Sequence, residues 1–294
     1  MHSRQAILAS LVVLALEGCG SPEQGTDMNA GGSPPTGGAG SGGVSATGGA
    51  GTGGRQVISG SGTGGGSGSG GAGTGGMGTC DTGTTHTGGT QYCDSTQGNV
   101  GNGYTYELWS DGAGSGCMTI FRDEATFKAT WSNVGDFLAR VGLSYDETQT
   151  PTQIGTFSSD FAFTKSGSDR TYVGVYGWTN NPLIEYYIIE DWLGARRPTF
   201  ESHEGTITVD GGSYDVYTNV RTDAPSIHGP QTFTQYFSVR TVGRQCGHIS
   251  ISQHFSHWAS LGMPLGQLYE VKLLIEGMNG SGDVEFTSAT VVVR

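Results

Sequence analysis

The sequence predicts an all-β fold, a double-sheet antiparallel jelly roll with one short helix, for residues 80–294. Short runs that alternate polar and apolar side chains recur from Tyr104 to Val293, as in strands with one buried face. Gly, Asn, Asp and Pro separate these runs, as in Asp210-Gly211-Gly212, and such clusters form tight turns between antiparallel strands. Only Gln253–Leu261 has the apolar spacing of a helix.

The N-terminus has the pattern of an export signal. Arg4 precedes an apolar run, Ala6–Leu16, whose 11 residues fit a signal peptide and fall short of the ~20 that span a bilayer. The following Leu16-Glu17-Gly18-Cys19 resembles the lipobox of bacterial lipoproteins. Residues 1–18 are therefore predicted to be a cleaved lipoprotein-type signal, with Cys19 lipidated at the outer membrane or cell surface. An ordinary signal peptide followed by secretion is the alternative.

Residues 19–79 are predicted to form a disordered linker. Of the 60 residues from Gly20 to Thr79, 26 are glycine and only three carry charge, so the segment cannot build a hydrophobic core. The remaining 215 residues, 80–294, are enough for a single folded domain.

The charge balance of the folded part restricts its partners. Residues 80–294 carry 23 acidic and 12 basic side chains, a balance that disfavours nucleic acid and anionic lipid. We therefore expect membrane contact only through the lipid anchor. No amphipathic or apolar patch in the sequence indicates an oligomer, so we expect a monomer.

Four cysteines of the folded part are expected to form disulfides, because an even number in an exported chain favours disulfides over metal ligation. Of the three possible pairings, the sequence favours Cys80 with Cys93, which closes a short loop, and Cys117 with Cys246, which both lie beside strand-like runs. Buried free thiols are the alternative. No cluster of ligand residues predicts a metal site.

The strands and the helix follow from local patterns. In the helix, His254 and His257 have the spacing of a metal-binding pair, but without a third ligand we expect a solvated helix face. The predicted strands are Tyr104–Trp109, Cys117–Phe121, Thr126–Trp131, Asp160–Thr164, Thr171–Trp178, Leu183–Asp191, Gly205–Asp210, Gly212–Asn219, Thr232–Val239, His248–Ile251, Tyr269–Glu276 and Asp283–Val293.

Two glutamates stand inside apolar strands. In Pro182–Glu190, period-two alternation puts Glu185 on one face with Tyr187, and Glu276 has a similar place in Val271–Gly277. A carboxylate among apolar neighbours is unfavourable unless it is hydrogen-bonded or used in chemistry. Two carboxyl groups ~5–5.5 Å apart are what a retaining glycosidase uses. The alternative is that each glutamate faces solvent or accepts bonds from Arg or Tyr.

The region from Tyr104 to Val293 contains a series of long motifs in a fixed order. They are Trp109-Ser110-Asp111-Gly112, Trp131–Phe137, Tyr176-Gly177-Trp178, Pro182–Trp192, Arg197-Pro198-Thr199, Gly211–Tyr217, Arg221, Ala224–Gly229, Thr232–Arg240, His254, Trp258, Gly262-Met263, Leu265-Gly266, Glu276-Gly277 and Ser281-Gly282. In sequence and in order, these motifs resemble glycoside hydrolase family 11, the small endo-β-1,4-xylanases.

This resemblance implies the shape of a curled right hand with a thumb loop, here about Thr222 to Gln231, over a cleft. It implies that Glu185 is the nucleophile and Glu276 the acid/base in the internal, retaining hydrolysis of xylan, with no cofactor and no metal. The alternatives are a non-catalytic xylan-binding module on the same scaffold and a cellulose-cutting relative. Both glutamates are present, and the thumb sequence Pro225-Ser226-Ile227 is particular to xylanases.

The resemblance also implies a substrate-binding set. Tyr176 and Tyr187 would hydrogen-bond the nucleophile or the sugar, and Arg221 would favour the charged nucleophile. Trp109 would stack on a xylose ring. The glycone side would be lined by two further residues, Pro225 and Gln235.

Asp136 matches a position that carries either Asn or Asp beside the acid/base, and Asp resembles the members with more acidic optima. A second carboxyl would share the proton of Glu276, so the pair would titrate together. We expect an optimum below about pH 6 that rises in Asp136→Asn. An uncoupled surface Asp is the alternative.

Four positions depart from the family pattern. Met278 stands where an aromatic residue usually follows the acid/base Glu-Gly, and Leu143 replaces a usual Trp. Arg196 and Phe200 stand in place of the commoner Tyr and Gly. These differences concern the affinity for individual sugars of the substrate and leave both glutamates in place.

Overall fold

The structure is a computed structural model that describes residues 80–122, 124–168 and 170–294. The signal peptide predicted for residues 1–18, the linker predicted for 19–79 and the lipidation site Cys19 lie outside the described residues. Across the described ranges, no helix is both long enough and apolar enough to cross a membrane.

Strands account for most of the elements in the described ranges. In chain order the elements are β1 (Thr90–Tyr92), β2 (Thr96–Gly101), β3 (Tyr104–Ser110), β4 (Ser115–Ile120), β5 (Phe127–Ser144), α1 (Pro151–Ile154), β6 (Phe157–Gly167), β7 (Arg170–Asn180), β8 (Ile184–Leu193), β9 (Ser202–Val209), β10 (Gly212–Ala224), β11 (Gln231–Arg240), β12 (Cys246–Ile249), α2 (Ile251–Ser260), β13 (Gln267–Ala289) and β14 (Val292–Val293).

Two long strands, β5 and β13, belong to both layers of the fold. The first half of β5 pairs with β4 and the second half with β3, while the first half of β13 pairs with β7 and the second half with β6. The two strands also pair with each other, from Glu270 opposite Ser144 to Glu285 opposite Lys128. This two-layered, open arrangement confirms the all-β class predicted from the sequence.

From β5 the strand order continues through β13, β7, β8, β11 and β10 to β9. The pairing of β11 with β8 is parallel, in contrast to the antiparallel expectation. The sequence expectation is also wrong in treating Tyr269–Glu276 and Asp283–Val293 as two strands. The glycine-rich segment between them keeps its pairing with β5 through a register shift, so β13 runs on as one strand.

The apolar core lies between the layers and determines which strand faces are free for a site. The rings of Phe127 and Phe163 are fully buried against Phe286, with centroids 5.1 Å and 5.5 Å away from it. Burying a side chain of this kind stabilises the fold by roughly 1.5–3 kcal/mol. Tyr186 of β8 belongs to the same core, so its neighbour Glu185 is directed to the opposite, concave face.

Helix α2 lies close to its predicted position, but one expectation about it is wrong. His254 is fully buried, with its ring centroid 4.6 Å from that of Tyr214. The reason is helical periodicity, because Ile251, His254, Phe255 and Trp258 form one stripe and all four are buried. Burial lowers the pKa of His254 to about 3, with a further lowering from the nearby His257, so His254 is neutral.

The helix α1 is a second departure from the sequence expectation of one helix. It is a single turn that begins with Pro151, at a position where the missing N–H of proline is harmless. The side chain of Gln153 accepts a hydrogen bond from the backbone N–H of Thr150, at 2.9 Å. A segment this short has no periodic pattern to reveal it.

The disulfide pairing differs from the predicted one. The bonded pairs are Cys80 with Cys246 and Cys93 with Cys117, not Cys80 with Cys93 and Cys117 with Cys246. Sheet register explains the second bond, because β1 pairs with β4 and Tyr92 lies opposite Met118, which places the cysteines next to each other. The residues before β1 contact β13, where Glu285 accepts a hydrogen bond from the backbone N–H of His86 at 2.5 Å, and Cys80 is bonded to Cys246 at the start of β12.

Candidate active site

The two glutamates occupy strands separated only by β7. In the sheet register, Glu276 of β13 lies opposite Tyr172 of β7, and Glu185 of β8 lies opposite Trp178 of the same strand. Both carboxyl groups are buried, with exposed fractions of 7% for Glu185 and 5% for Glu276. Both glutamates line the same concave cleft, which is open to solvent.

The structure brings together every residue predicted for substrate binding and catalysis. Each of them lines the same cleft, although they come from seven strands and the loop between β10 and β11. They are Trp109, Asp136, Tyr176, Glu185, Tyr187, Arg221, Pro225, Gln235 and Glu276.

Glu185 is held by three side-chain donors. Its Oε1 accepts hydrogen bonds from the hydroxyl groups of Tyr176 at 2.6 Å and Tyr187 at 3.1 Å, and its Oε2 accepts one from Nε2 of Gln235 at 2.5 Å. Burial raises the pKa of Glu185, while the three hydrogen bonds and the charge of Arg221 lower it. Burial outweighs these contributions, so the pKa of Glu185 stays above its usual value, but the three donors stabilise the ionised carboxylate.

Tyr176 is itself fixed in position. The indole Nε1 of Trp178 donates to its hydroxyl group at 2.5 Å, and the guanidinium of Arg140 lies 5.1 Å from its ring centroid. Arg140 in turn forms ion pairs with Glu107 at 2.8 Å and Glu270 at 3.0 Å. The donor to Glu185 is thus supported from two sides.

Glu276 is in a different electrostatic environment. Burial raises its pKa well above the usual value, and the charges of Asp136 and Glu185 raise it further. Its Oε2 has no hydrogen-bond partner among the described residues. Glu276 therefore favours the protonated form, whereas three donors favour the charged form of Glu185. This difference is the one that an acid and a nucleophile in one site require.

Asp136 adds a third carboxyl group to the cleft. It lies opposite Met278, two residues along β13 from Glu276. Burial raises its pKa to about 6, and the charges of Asp111 and Glu185 contribute. Its Oδ1 also has no hydrogen-bond partner among the described residues.

The predicted thumb is the connection between β10 and β11. The paired register of these strands shifts after Arg221, and the residues Pro225, Ser226 and Ile227 then line the cleft. A turn closed by Gly229, whose N–H donates to the carbonyl of Ser226 at 3.1 Å, holds the tip. The position of the loop agrees with the range expected from the sequence.

Sequence reasoning missed several cleft residues. Glu107 and Trp178 stand two residues from predicted site residues on the same strands, and Arg140 stands four residues from Asp136, so each shares a face with a predicted residue. The period-two rule, applied outward from the motifs, could have found them. Phe233 of β11 could have been found in the same way, two residues from Gln235.

The chemistry available at the site rests on carboxyl groups and hydroxyl donors. Within the part of the chain that the structure describes, no group of three or more His, Cys, Asp or Glu side chains is placed to hold a metal ion. The cleft instead combines aromatic surface, such as Trp109, with a few convergent polar groups. That combination is typical of a carbohydrate-binding cleft.

Comparison with known proteins places the chain in a family. A 43% identical endo-1,4-beta-xylanase A of Bacillus pumilus matches over 189 residues, which cover 64% of this chain and 81% of the relative. An endo-1,4-beta-xylanase of Neocallimastix patriciarum is 47% identical over 203 residues, covering 67% of this chain and 60% of the relative. This chain matches 32% of the length of an endo-1,4-beta-xylanase C of Fibrobacter succinogenes, so it spans only part of several relatives.

A solved structure and a family model agree with these matches. The crystal structure of the wild-type ENZbleach xylanase superposes with a TM-score of 0.69 at 38% identity, covering 73% of this chain and 91% of that one. The family model of the glycosyl hydrolases family 11 matches residues 101–287, which is more than half of the chain. The chain therefore belongs to glycosyl hydrolases family 11.

Proposed function

We propose that the protein is an endo-β-1,4-xylanase that hydrolyses internal bonds of xylan with retention of configuration. The observation that carries the proposal is the contrast between two buried carboxyl groups in one cleft. Glu185 accepts three hydrogen bonds that favour its charge, and burial with neighbouring charge keeps the pKa of Glu276 high. The names of its relatives, endo-1,4-beta-xylanases, support the choice of xylan.

In the first step, Glu276 donates its proton to the glycosidic oxygen while Glu185 attacks the anomeric carbon. The bond between that carbon and the leaving oxygen breaks, an ester bond to Glu185 forms, and the leaving chain departs with a new hydroxyl group. Tyr176, Tyr187 and Gln235 keep the carboxylate oriented for the attack.

In the second step, water hydrolyses the ester. Formation of the ester removes the negative charge of Glu185, which had raised the pKa of Glu276. Glu276 can then act as a base, taking a proton from the water that attacks the anomeric carbon. Two inversions at the same carbon give net retention.

Asp136 tunes the acid in this scheme. Its carboxyl group lies beside Glu276 in the register and ionises near pH 6, so it competes for the same proton. We therefore place the optimum below about pH 6.

The remaining cleft residues hold the substrate. Trp109 stacks on a xylose ring, Pro225 and Gln235 line the glycone side, and Arg221 stays beside the nucleophile.

The sequence further supports export, with Cys19 as a lipid anchor at the outer membrane or cell surface and the folded domain acting as a monomer. Globomycin treatment, which blocks lipoprotein processing, would leave an unprocessed precursor if the anchor is correct.

Release of xylo-oligosaccharides from xylan tests the activity, with Glu185→Gln and Glu276→Gln as controls. A 2-deoxy-2-fluoro aryl xylobioside should trap an ester on Glu185, detectable by peptide mass. Proton NMR of early products should give the β-anomer first. A wild-type protein that binds xylan without shortening it would favour a binding module, and a first product of α configuration would exclude the retaining mechanism.

A further inference from the structure

A row of aromatic side chains crosses the concave face, starting at the nucleophile. Directly paired positions on five consecutive strands carry Tyr176, Tyr187, Phe237, Tyr217 and His203. Since directly paired residues share a face, all five rings lie on the concave face of the sheet, and Tyr176 and Tyr187 also line the cleft. The proposed catalytic chemistry uses only the first two of them.

Phe200 lies on top of this row. Its ring is stacked on that of Phe237, with centroids 3.5 Å apart and planes inclined by 11°. Its edges meet the rings of Tyr172, at 5.8 Å, and Tyr217, at 6.0 Å. Phe200 nevertheless stays partly exposed, and because Phe237 covers one face, the exposed part is the face turned away from the sheet.

The segment before β9, which carries Phe200, is fastened to the sheet through Arg197. The guanidinium of Arg197 donates to the carbonyl groups of Arg240 at 2.9 Å and Val239 at 2.8 Å, and it forms an ion pair with Asp215 at 2.9 Å. These contacts fasten the segment across β10 and β11. A surface fixed in this way loses little conformational entropy when a ligand stacks on it.

The position of Phe200 indicates which half of a sugar chain it would meet. Along β11, Phe237 lies two residues beyond Gln235 on the side away from the thumb. Tyr172, whose ring contacts Phe200, lies directly opposite Glu276. Because the acid protonates the leaving oxygen, sugars beside it belong to the leaving chain.

We propose that Phe200 is a stacking platform for a xylose unit of the leaving chain, one that extends the cleft beyond Tyr187 and Glu276. The proposal rests on the proposed function. Pyranose rings present flat C–H faces that pack on aromatic rings, and Phe200 offers one open aromatic face in line with the cleft. Phe200 thus adds affinity for long substrates and influences which bond of a chain is cut.

The test compares a substrate that reaches the platform with one that does not. Xylohexaose can place sugars on both sides of the cleavage point, whereas an aryl β-xylobioside has no sugar on the leaving side. In Phe200→Ala and Phe200→Leu, the ratio of kcat/KM for xylohexaose to kcat/KM for the aryl xylobioside should fall about fivefold, the size of one aromatic stacking contact. Phe200→Tyr keeps a ring and should hold the ratio within about twofold. The cleavage products of xylohexaose should shift in the first two variants.

A matched control is Val242→Ala, which removes an exposed apolar side chain from the turn after β11, and its ratio should equal that of the wild type. Equal losses on both substrates in Phe200→Leu would overturn the platform, because they would mean that Phe200 only supports Tyr187 through Phe237. An unchanged ratio would overturn it as well. A wild-type protein inactive on both substrates would instead refute the proposed function.

Discussion

Asp136 and Glu276 lie on the paired strands β5 and β13 and each has one buried carboxyl oxygen without a hydrogen-bond partner among the described residues. The charge of Asp136 raises the pKa of Glu276. Two such groups behave as a pair that takes up and releases protons together. The protonation of Glu276, the acid of the proposed mechanism, therefore depends on the charge of Asp136.

The Asp136→Asn variant should have a higher pH optimum. In the wild type, Asp136 ionises near pH 6, and its negative charge then makes Glu276 a weaker acid, so activity falls. An amide never ionises, so the alkaline limb of the variant should follow Glu276 alone. Burial and the charge of Glu185 keep the pKa of Glu276 high even without the contribution of Asp136, so that limb should lie at higher pH. The measurement is kcat/KM against pH, and an alkaline limb that stays in place would contradict the coupling.

The Glu276→Gln variant should lose most of its activity on xylan but be more stable, relative to the wild type, at alkaline pH than at acidic pH. Loss of the acid lowers kcat by about 10²–10⁴-fold for poor leaving groups, and aryl glycosides should lose less. Because the pKa of Glu276 is raised in the folded state, its contribution to stability is full at low pH and is lost as pH rises through that value.

Thermal unfolding at pH 4 and pH 8 tests this second effect. The melting temperature of Glu276→Gln minus that of the wild type should be larger at pH 8 than at pH 4. Glu201→Gln, on the exposed surface, is the matched control and should follow the wild type at both. A difference in melting temperature between Glu276→Gln and the wild type that is the same at both pH values would contradict the raised pKa of Glu276.

The Tyr176→Phe variant should shift the acidic limb of the profile to higher pH. The hydroxyl group of Tyr176 donates to Glu185 at 2.6 Å and lowers its pKa, so its loss leaves the nucleophile protonated over a wider range. A lost bond to a charged group lowers activity by about tenfold or more. Tyr104→Phe, which removes a hydroxyl group bonded to the carbonyl of Val291 outside the cleft, should leave the profile unchanged.

The two disulfides should differ in their contribution to stability. Cys80 and Cys246 are separated by 166 residues, against 24 for Cys93 and Cys117. In the chain-entropy account the longer loop stabilises by about 5 kcal/mol and the shorter by about 3.5 kcal/mol. Urea unfolding of the two double serine variants measures this difference. A larger loss for Cys93→Ser with Cys117→Ser would refute the ranking, and peptide mapping without reduction checks the pairing itself.

The sequence could predict which residues share a strand face because its strands alternate regularly. Period-two patterns placed Glu185 with Tyr187 on one face, and the structure has both on the concave face. Two short strands, Thr90–Tyr92 and Thr96–Gly101, were not predicted. These two strands are polar and are stabilised by pairing with β4 and β3, so no local pattern predicts them.

By itself the sequence determined the strand faces, the helix stripe and the ordered motifs, because side-chain periodicity and turn chemistry act over a few residues. Tertiary structure alone decided which cysteines meet and that Phe200 lies on Phe237. These contacts join residues that are distant in the chain. Their partners depend on sheet register and on how the two layers pack, and neither is encoded in any short segment.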